Sequence, residues 1–413
     1  MKEDWIYRGP SSDELASEIS DGRKGRNDIL VIIPTANGGE SLRKHLKSLE
    51  KQTFREFDIM IIYGKKNFIS NKKLNIINVH ESEKIGSAGA FYLGGRIALE
   101  EGYKTVVFAD DDCIPSENLL MEINSAVGNG KKIIHTQYRE KGLPDSSPNH
   151  YGAVTREVLE KIGMVYLPFF FGGEDYEWGG RLARSGEEIF TVDAGVIHTA
   201  GVPVPIISES RLYGYIRGKI QAAIMNGCYA EGLLCISDNL IIALGLFLLG
   251  KKSLAKSIFS AITDAAKMRM FEVKKEDSEP KEEKADVDFI NNIETRIHVS
   301  TGEYFGFLAG YVKEQLKVLM NLGKFLNRRV LFDCDRFQTQ VVMMLLTKTS
   351  YVRFMGKTYK VHQNMGIISN ILGYLLINLF IPVSWILSAF FVLWTLISLK
   401  MKKIETWGYG LET

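Results

Sequence analysis

Cysteine is scarce and scattered. Cys113, Cys228, Cys235 and Cys334 form no CxxC pair, which excludes a disulfide-stapled scaffold and gives no zinc knuckle. Net charge is nearly absent as well: 51 lysines and arginines face 49 aspartates and glutamates, so no overall field draws the chain to nucleic acid, and no such partner is expected. The opening residues MKEDWIYRGPSSDELASEISDGRK hold no apolar run of the signal-peptide kind, so the catalytic part is expected to face the cytoplasm. The glycine-rich stretch KIGSAGAFYLGGR is neither a P-loop nor a dinucleotide fingerprint, because it lacks both GKS/T and GxGxxG.

What the chain does hold is apolar sequence, 46% of 413 residues, enough for two or three domains. It is unevenly placed. From Gly366 to Leu399 no residue is charged, a run ample for one tilted membrane span and short for two. Pro382 near its middle would kink or break a helix. Arg353, Lys357 and Lys360 precede it, and Lys400, Lys402 and Lys403 follow. Basic flanks on both sides favour a membrane hairpin over a single transmembrane anchor; a buried helical pair is the soluble alternative.

Residues 28–205 alternate short apolar runs (DILVII, FDIMII, NIINV, KTVVFA) with helical patterns. That alternation implies an α/β domain with a mostly parallel sheet covered on both faces. Ligands then bind beyond the carboxyl ends of the strands. Residues 1–27 read as an N-terminal extension, 206–271 as a helical, membrane-surface region, and 272–288 as a charged linker. Residues 289–365 read as helical again, and 366–403 as the membrane segment.

Three motifs carry chemistry. In VVFADDDCIP, Asp110, Asp111 and Asp112 follow a buried strand, and three adjacent carboxylates need a cation or hydrogen bonds to offset their repulsion. Alternation lets Asp110 and Asp112 face one way, a pair suited to Mg²⁺ or Mn²⁺; an exposed acidic turn is the bland reading. In FFFGGEDYEWGGRLARSG, Glu174 and Asp175 either cap a helix or bring a general base to an acceptor hydroxyl. Trp178 and Leu182 share a helical face. In IGSAGA, Gly86 and Gly89 permit close backbone approach, with Arg96 on the helix that follows. His198 could complete an oxygen-rich metal site or be structural.

In this order these pieces resemble the family 2 glycosyltransferases of the GT-A fold over residues 28–220, most like the galactofuranosyltransferase and rhamnosyltransferase branch. The resemblance rests on PT in VIIPTANG, IGSAGA before a helix, DDD after a strand, and GGEDYEW. It implies a Rossmann-like GT-A sheet; the helical region and the membrane-inserted C-terminal segment that follow rest on the apolar pattern beyond it. The resemblance also implies a metal-dependent inverting transfer from a nucleotide-sugar donor. Pro34, Thr35 and Asn37 would line the nucleotide pocket, joined by Gly86, Ala88, Gly89, Arg96, Asp110 and Asp111, with Arg217 as a diphosphate contact. Asp110, Asp112 and His198 would hold the divalent ion. Asp175 would be the general base, and Glu174 and Trp178 would shape acceptor contacts.

Two departures qualify this. IIYGKKN replaces the acidic pair that many relatives carry after the second strand, where one aspartate can recognise uracil; UDP stays the first expectation, with dTDP and GDP open. The QxxRW segment of processive synthases is missing, which favours one or a few additions. The membrane segment suggests a lipid-linked or glycan acceptor at the cell membrane, and a homo-oligomer is compatible with the sequence. A sugar nucleotidyltransferase and a non-catalytic membrane-bound scaffold are the alternatives.

Overall fold

A computed structural model describes residues 11–19, 27–36, 38–64, 69–82, 84–138, 151–198, 208–248 and 250–268. It also describes 296–299, 330–334, 349–354, 357–362, 380, 383–384 and 386–398. The chain forms two units: Met1–Ala200 with Gln221–Cys228 and Ser398–Thr413, and Gly201–Ile220 with Tyr229–Ile397.

The first unit is built on a nine-stranded sheet. The helical turn α1 (Ser12–Leu15) leads into β1 (Ala16–Ile19), followed by β2 (Ile29–Thr35), α2 (Glu40–Leu49), β3 (Phe57–Tyr63) and β4 (Ile76–Glu81). Then come α3 (Gly86–Glu100), β5 (Thr105–Phe108), β6 (Cys113–Pro115), α4 (Leu119–Gly128) and β7 (Ile133–Tyr138). β8 (Gly152–Thr155), α5 (Arg156–Ile162), α6 (Glu174–Ala183) and β9 (Ile189–His198) complete it. In space the strands run β1-β4-β3-β2-β5-β8-β7-β9-β6.

β4, β3, β2 and β5 are mutually parallel, and so are β7 and β9. β1, β8 and β6 pair antiparallel with their neighbours. The expected mostly parallel sheet is therefore corrected to a mixed one. Part of the N-terminal extension also joins it, since β1 covers the β4 edge.

Side-chain alternation explains how the sheet is buried on both faces. Leu30 and Ile32 of β2, with Met60 and Ile62 of β3, pack under α3 in one core. Ile29, Val31 and Ile33, with Ile59 and Ile61, pack under α2 and α4 in the other. Gly94 lets α3 lie close, because a Cβ there would come 2.6 Å from Ile32 Cγ2.

The second unit holds most of α7 (Glu209–Met225), α8 (Tyr229–Leu248) and α9 (Lys252–Ala266). The Tyr213 hydroxyl donates to Asp264 Oδ2 at 2.9 Å, tying α7 to α9. Residues 289–365, expected to be helical, instead contribute strands β10 (Arg296–Val299), β11 (Val330–Cys334), β12 (Thr349–Phe354) and β13 (Lys357–His362). They form a four-stranded sheet in the order β10-β11-β12-β13. Its alternating β-branched and aromatic residues (TSYVRF, KTYKVH) suit a strand better than a helix. The helical pattern EYFGFLAGYVKEQLKVLMNLGKFLNRR lies outside the described residues.

Among the described residues one helix is long and apolar enough to cross a membrane, Glu231–Leu248 within α8. From the expected C-terminal membrane segment, α10 (Ile386–Ser398) is a shorter apolar helix, about 20 Å long at helical rise.

Candidate active site

Three stretches far apart in sequence meet at the carboxyl end of the parallel strands. The first is the acidic turn after β5. Thr35, the last residue of β2, donates its hydroxyl to Asp111 Oδ2 at 2.6 Å and accepts the Gly38 N–H at 3.1 Å. That bond takes Asp111 out of the triplet. Asp110 and Asp112 are left together: ligand atoms of Asp110, Asp112 and Cys113 all lie within 4.8 Å of one another. The three aspartates stand in a turn after β5 and not on a strand.

The second and third stretches lock onto each other. Gly86 opens α3 with φ +70°, and a Cβ there would sit 2.2 Å from the Phe170 carbonyl oxygen. That same oxygen accepts the Ala88 N–H at 3.1 Å. One residue along, the Ser87 hydroxyl donates to Glu174 Oε1 at 2.6 Å, so the start of α3 is fixed to the start of α6. The close approach that the glycine signals is therefore to protein backbone. Gly86→Ala is expected to cost more than about 2 kcal/mol, from the left-handed backbone plus the clash. Thermal unfolding of the purified variant measures it; an unchanged Tm refutes the packing account.

Electrostatics separate the acids. Glu174 is buried, with its Oε2 lacking a hydrogen-bond partner. Burial raises its carboxyl well above the ordinary range, and the negative charges of Asp175 and Asp110 add to the shift. Asp110 thus lies near enough to act on the Glu174 carboxyl. The Cys113 thiol is pushed up by burial and by Asp110 and Asp112, and sulfur is a poor partner for a hard cation. Two carboxylates with oxygen donors fit Mg²⁺ or Mn²⁺.

Two further titratable groups were not singled out by sequence. His45 of α2 is fully buried behind the acidic turn, its Nε2 bonded to the Tyr151 hydroxyl. Burial lowers its imidazole to about 4, against the pull of Asp112. Glu81, which ends β4, is raised to about 7 by burial, opposed by the Ile85 N–H and Lys84.

A carboxyl raised from 4.5 to about 7 binds its proton more tightly when folded. Glu81 therefore favours the fold at pH below its unfolded value, and that contribution fades as pH rises through 7. His45 acts oppositely, since its depressed value withdraws stability as pH falls from 6.5 toward 4. Glu81→Gln is expected to stabilise the protein by about 1–3 kcal/mol at pH 8 and not at pH 5. Paired melting curves at the two pH values decide it.

No family model matches the chain, and no curated protein does. Among solved structures it is similar to the mannosyltransferase PcManGT from Pyrobaculum calidifontis in complex with GDP-Man and Mn²⁺. Identity is 14% and TM-score 0.42, covering 86% of this chain and 88% of that one. It is also similar to S. aureus TarS, at 16% identity and TM-score 0.37, covering 57% of this chain and 53% of that one. TarS 1-349 in complex with UDP matches at 14% identity and TM-score 0.37, covering 57% of this chain and 88% of that one. This chain thus spans about half the length of the longer TarS chain. Likeness this distant decides nothing about activity, which has to be read from the side chains.

Not every residue singled out by sequence joins the site. Trp178 is fully buried, donates its indole N–H to the Gly163 carbonyl at 3.1 Å and meets Phe108 edge-on. It is core, and the expected acceptor contact is corrected. Arg96 pairs with Glu100, ten residues along α3 from Gly86 and so about 15 Å from it at helical rise. A Cβ on Gly89 would meet Ile85 within its own first turn, while Ala88 is buried in the core. Pro34 is half-buried at the end of β2. Arg217 is fully buried on α7 in the second unit. His198 ends β9 with its backbone opposite Cys113, which brings the strand beside the acidic turn; its side chain, like Asn37, lies outside the described residues.

Proposed function

We propose that this chain is a metal-dependent inverting glycosyltransferase, of family 2 and nearest its galactofuranosyl and rhamnosyl branch. It moves a sugar from a nucleotide-diphosphate donor, UDP favoured, to an acceptor hydroxyl. The observation that supports this most is the Ser87–Glu174 hydrogen bond together with the influence of Asp110 on the same carboxyl. It gathers IGSAGA, GGEDYEW and the aspartate turn at one end of the sheet.

In this reading Asp175, at the open start of α6, takes the proton of the acceptor hydroxyl. The acceptor oxygen then forms its bond to the anomeric carbon as the bond to the diphosphate oxygen breaks. Asp110 and Asp112 would hold Mg²⁺ or Mn²⁺, with His198 as a further ligand; when bound, the ion supplies positive charge opposite the departing diphosphate. Thr35 orients the turn through Asp111. Glu174, steadied by Ser87, sits beside the base as a hydrogen-bonding group. The membrane-length window of α8 supports membrane association; a cell-membrane location, a lipid-linked glycan acceptor and a catalytic unit facing the cytoplasm complete the proposal.

A screen of UDP-, GDP- and dTDP-sugars with the full chain in detergent, with and without Mn²⁺, tests the reading through released nucleotide. Divalent-dependent release of nucleoside diphosphate is the expected result. Formation of nucleoside triphosphate and sugar 1-phosphate when pyrophosphate is added would point to a nucleotidyltransferase instead, and no release from any donor overturns the assignment.

A further inference from the structure

α10 has its polarity reversed. On one side, Ile386, Phe390, Leu393 and Ile397 recur at helical spacing and are 73%, 59%, 57% and 52% exposed. On the opposite side, Ser388 and Thr395 are fully buried, and so is Ser384 just before the helix. A helix on a water-soluble protein turns its hydroxyls outward and its Ile and Phe inward. Here the arrangement suits a surrounding that is apolar and an interior that is hydrogen-bonded.

The hydroxyls are satisfied as they would be in the absence of water. Ser388 donates to the Ser384 carbonyl at 2.5 Å and Thr395 to the Phe391 carbonyl at 2.8 Å. Such back-bonding to the preceding turn spends the polar group inside the helix. Ser384 Oγ lies 2.8 Å from Ser237 Oγ, and Ser237 stands within Glu231–Leu248, the membrane-length window of α8. Small hydroxyl residues at the contact and large apolar residues outside are the pattern of helices packed within lipid.

Basic residues stand where a headgroup layer would need them. Lys267 Nζ lies 5.6 Å from the centre of the Trp394 ring, and Lys252 Nζ 5.9 Å from that of Phe247 near the end of α8. In sequence, Lys400, Lys402 and Lys403 follow α10 directly. Aromatic rings paired with lysines sit well at the boundary between acyl chains and anionic headgroups.

We infer that α10 presents Ile386, Phe390, Leu393 and Ile397 to the acyl chains of a bilayer while its hydroxyl side docks on α8. At about 20 Å, α10 is too short to cross a hydrocarbon core of about 30 Å. The membrane element is then a hydroxyl-bonded pair of one membrane-length and one shorter helix. This rests on the membrane part of the proposed function and not on its chemistry.

Lipid photocrosslinking of the full chain tests it. The protein is reconstituted in vesicles of equal parts phosphatidylcholine and phosphatidylglycerol carrying a diazirine in the acyl chain, and adducts are mapped by mass spectrometry. Adducts at Ile386, Phe390, Leu393 and Ile397 are expected roughly tenfold above those at Ser384, Ser388 and Thr395. An even distribution around α10, or adducts on α8 with none on α10, overturns the inference. So do protein–protein crosslinks from that face to a second copy or to residues 363–379. Donor turnover measured on the same vesicles keeps the two readings apart: outward adducts without sugar release sink the transferase assignment alone.

Discussion

Asp175→Asn is expected to lower kcat for sugar transfer by about 10²–10⁴-fold, the range a positioned general base supplies, with donor binding kept within a few fold. Two adjacent carboxyls begin α6, and their surroundings differ. Glu174 is buried, bonded to Ser87 and pushed toward its neutral form by burial and by its anionic neighbours. One Glu174 oxygen accepts from Ser87 and the other is buried, so Glu174 is poorly placed to reach an acceptor hydroxyl. Asp175 is only half-buried at the first turn of the helix, where a negative charge is favoured. Environments that push neighbouring acids apart assign their roles. Glu174→Gln keeps the size of a neutral acid and can still accept the Ser87 hydroxyl; it is expected to lower kcat by about tenfold or less. Single-turnover rates of both variants at saturating donor separate the roles. A full rate in Asp175→Asn, or a larger loss in Glu174→Gln, reverses the assignment.

How much of this was legible in the sequence depends on what each residue type reports. The strands β2, β3 and β5 stood out because ILVII, DIMII and TVVF are apolar on both parities, as a strand buried on two faces must be. Strand direction is not written that way. Gly152–Thr155 pairs antiparallel with β5, yet GAVT would read the same in a parallel neighbour, so the mixed sheet was missed. Glycine reports that something comes close and not what: at Gly86 the neighbour is the Phe170 carbonyl. Trp178 and Leu182 share a face whether that face meets a sugar or the core, and only burial separates the two. The aspartate triplet was legible as a cluster, but the partner that removes Asp111 from it is Thr35, 76 residues away. Tertiary contacts of this kind leave no local pattern. His45 is the extreme case, a single histidine in a helix whose importance comes from lying behind the acidic turn.

Asp112→Asn is expected to weaken divalent-dependent binding of the nucleoside diphosphate by about 10²–10³-fold, since a bound cation supplies several kcal/mol of charge stabilisation and about 1.4 kcal/mol is tenfold. Asp111→Asn should do less, because its carboxylate is committed to the Thr35 hydroxyl and the amide oxygen can still accept that bond. Cys113 decides which cation the site suits. Its sulfur lies within 4.8 Å of the Asp110 and Asp112 ligand atoms, a distance that would allow a mixed oxygen–sulfur site. Burial and the two carboxylates push the thiol up, and a hard cation gains little from sulfur. Cys113→Ser should therefore leave Mg²⁺ and Mn²⁺ dependence within a few fold of the parent chain. Titration of each variant with Mn²⁺ and nucleoside diphosphate by calorimetry gives the comparison. Equal losses in Cys113→Ser and Asp112→Asn would instead make the thiolate a ligand and shift the expected ion toward softer metals such as Zn²⁺. Loss in Asp112→Asn alone makes Asp112 a cation ligand and leaves Cys113 out of the set.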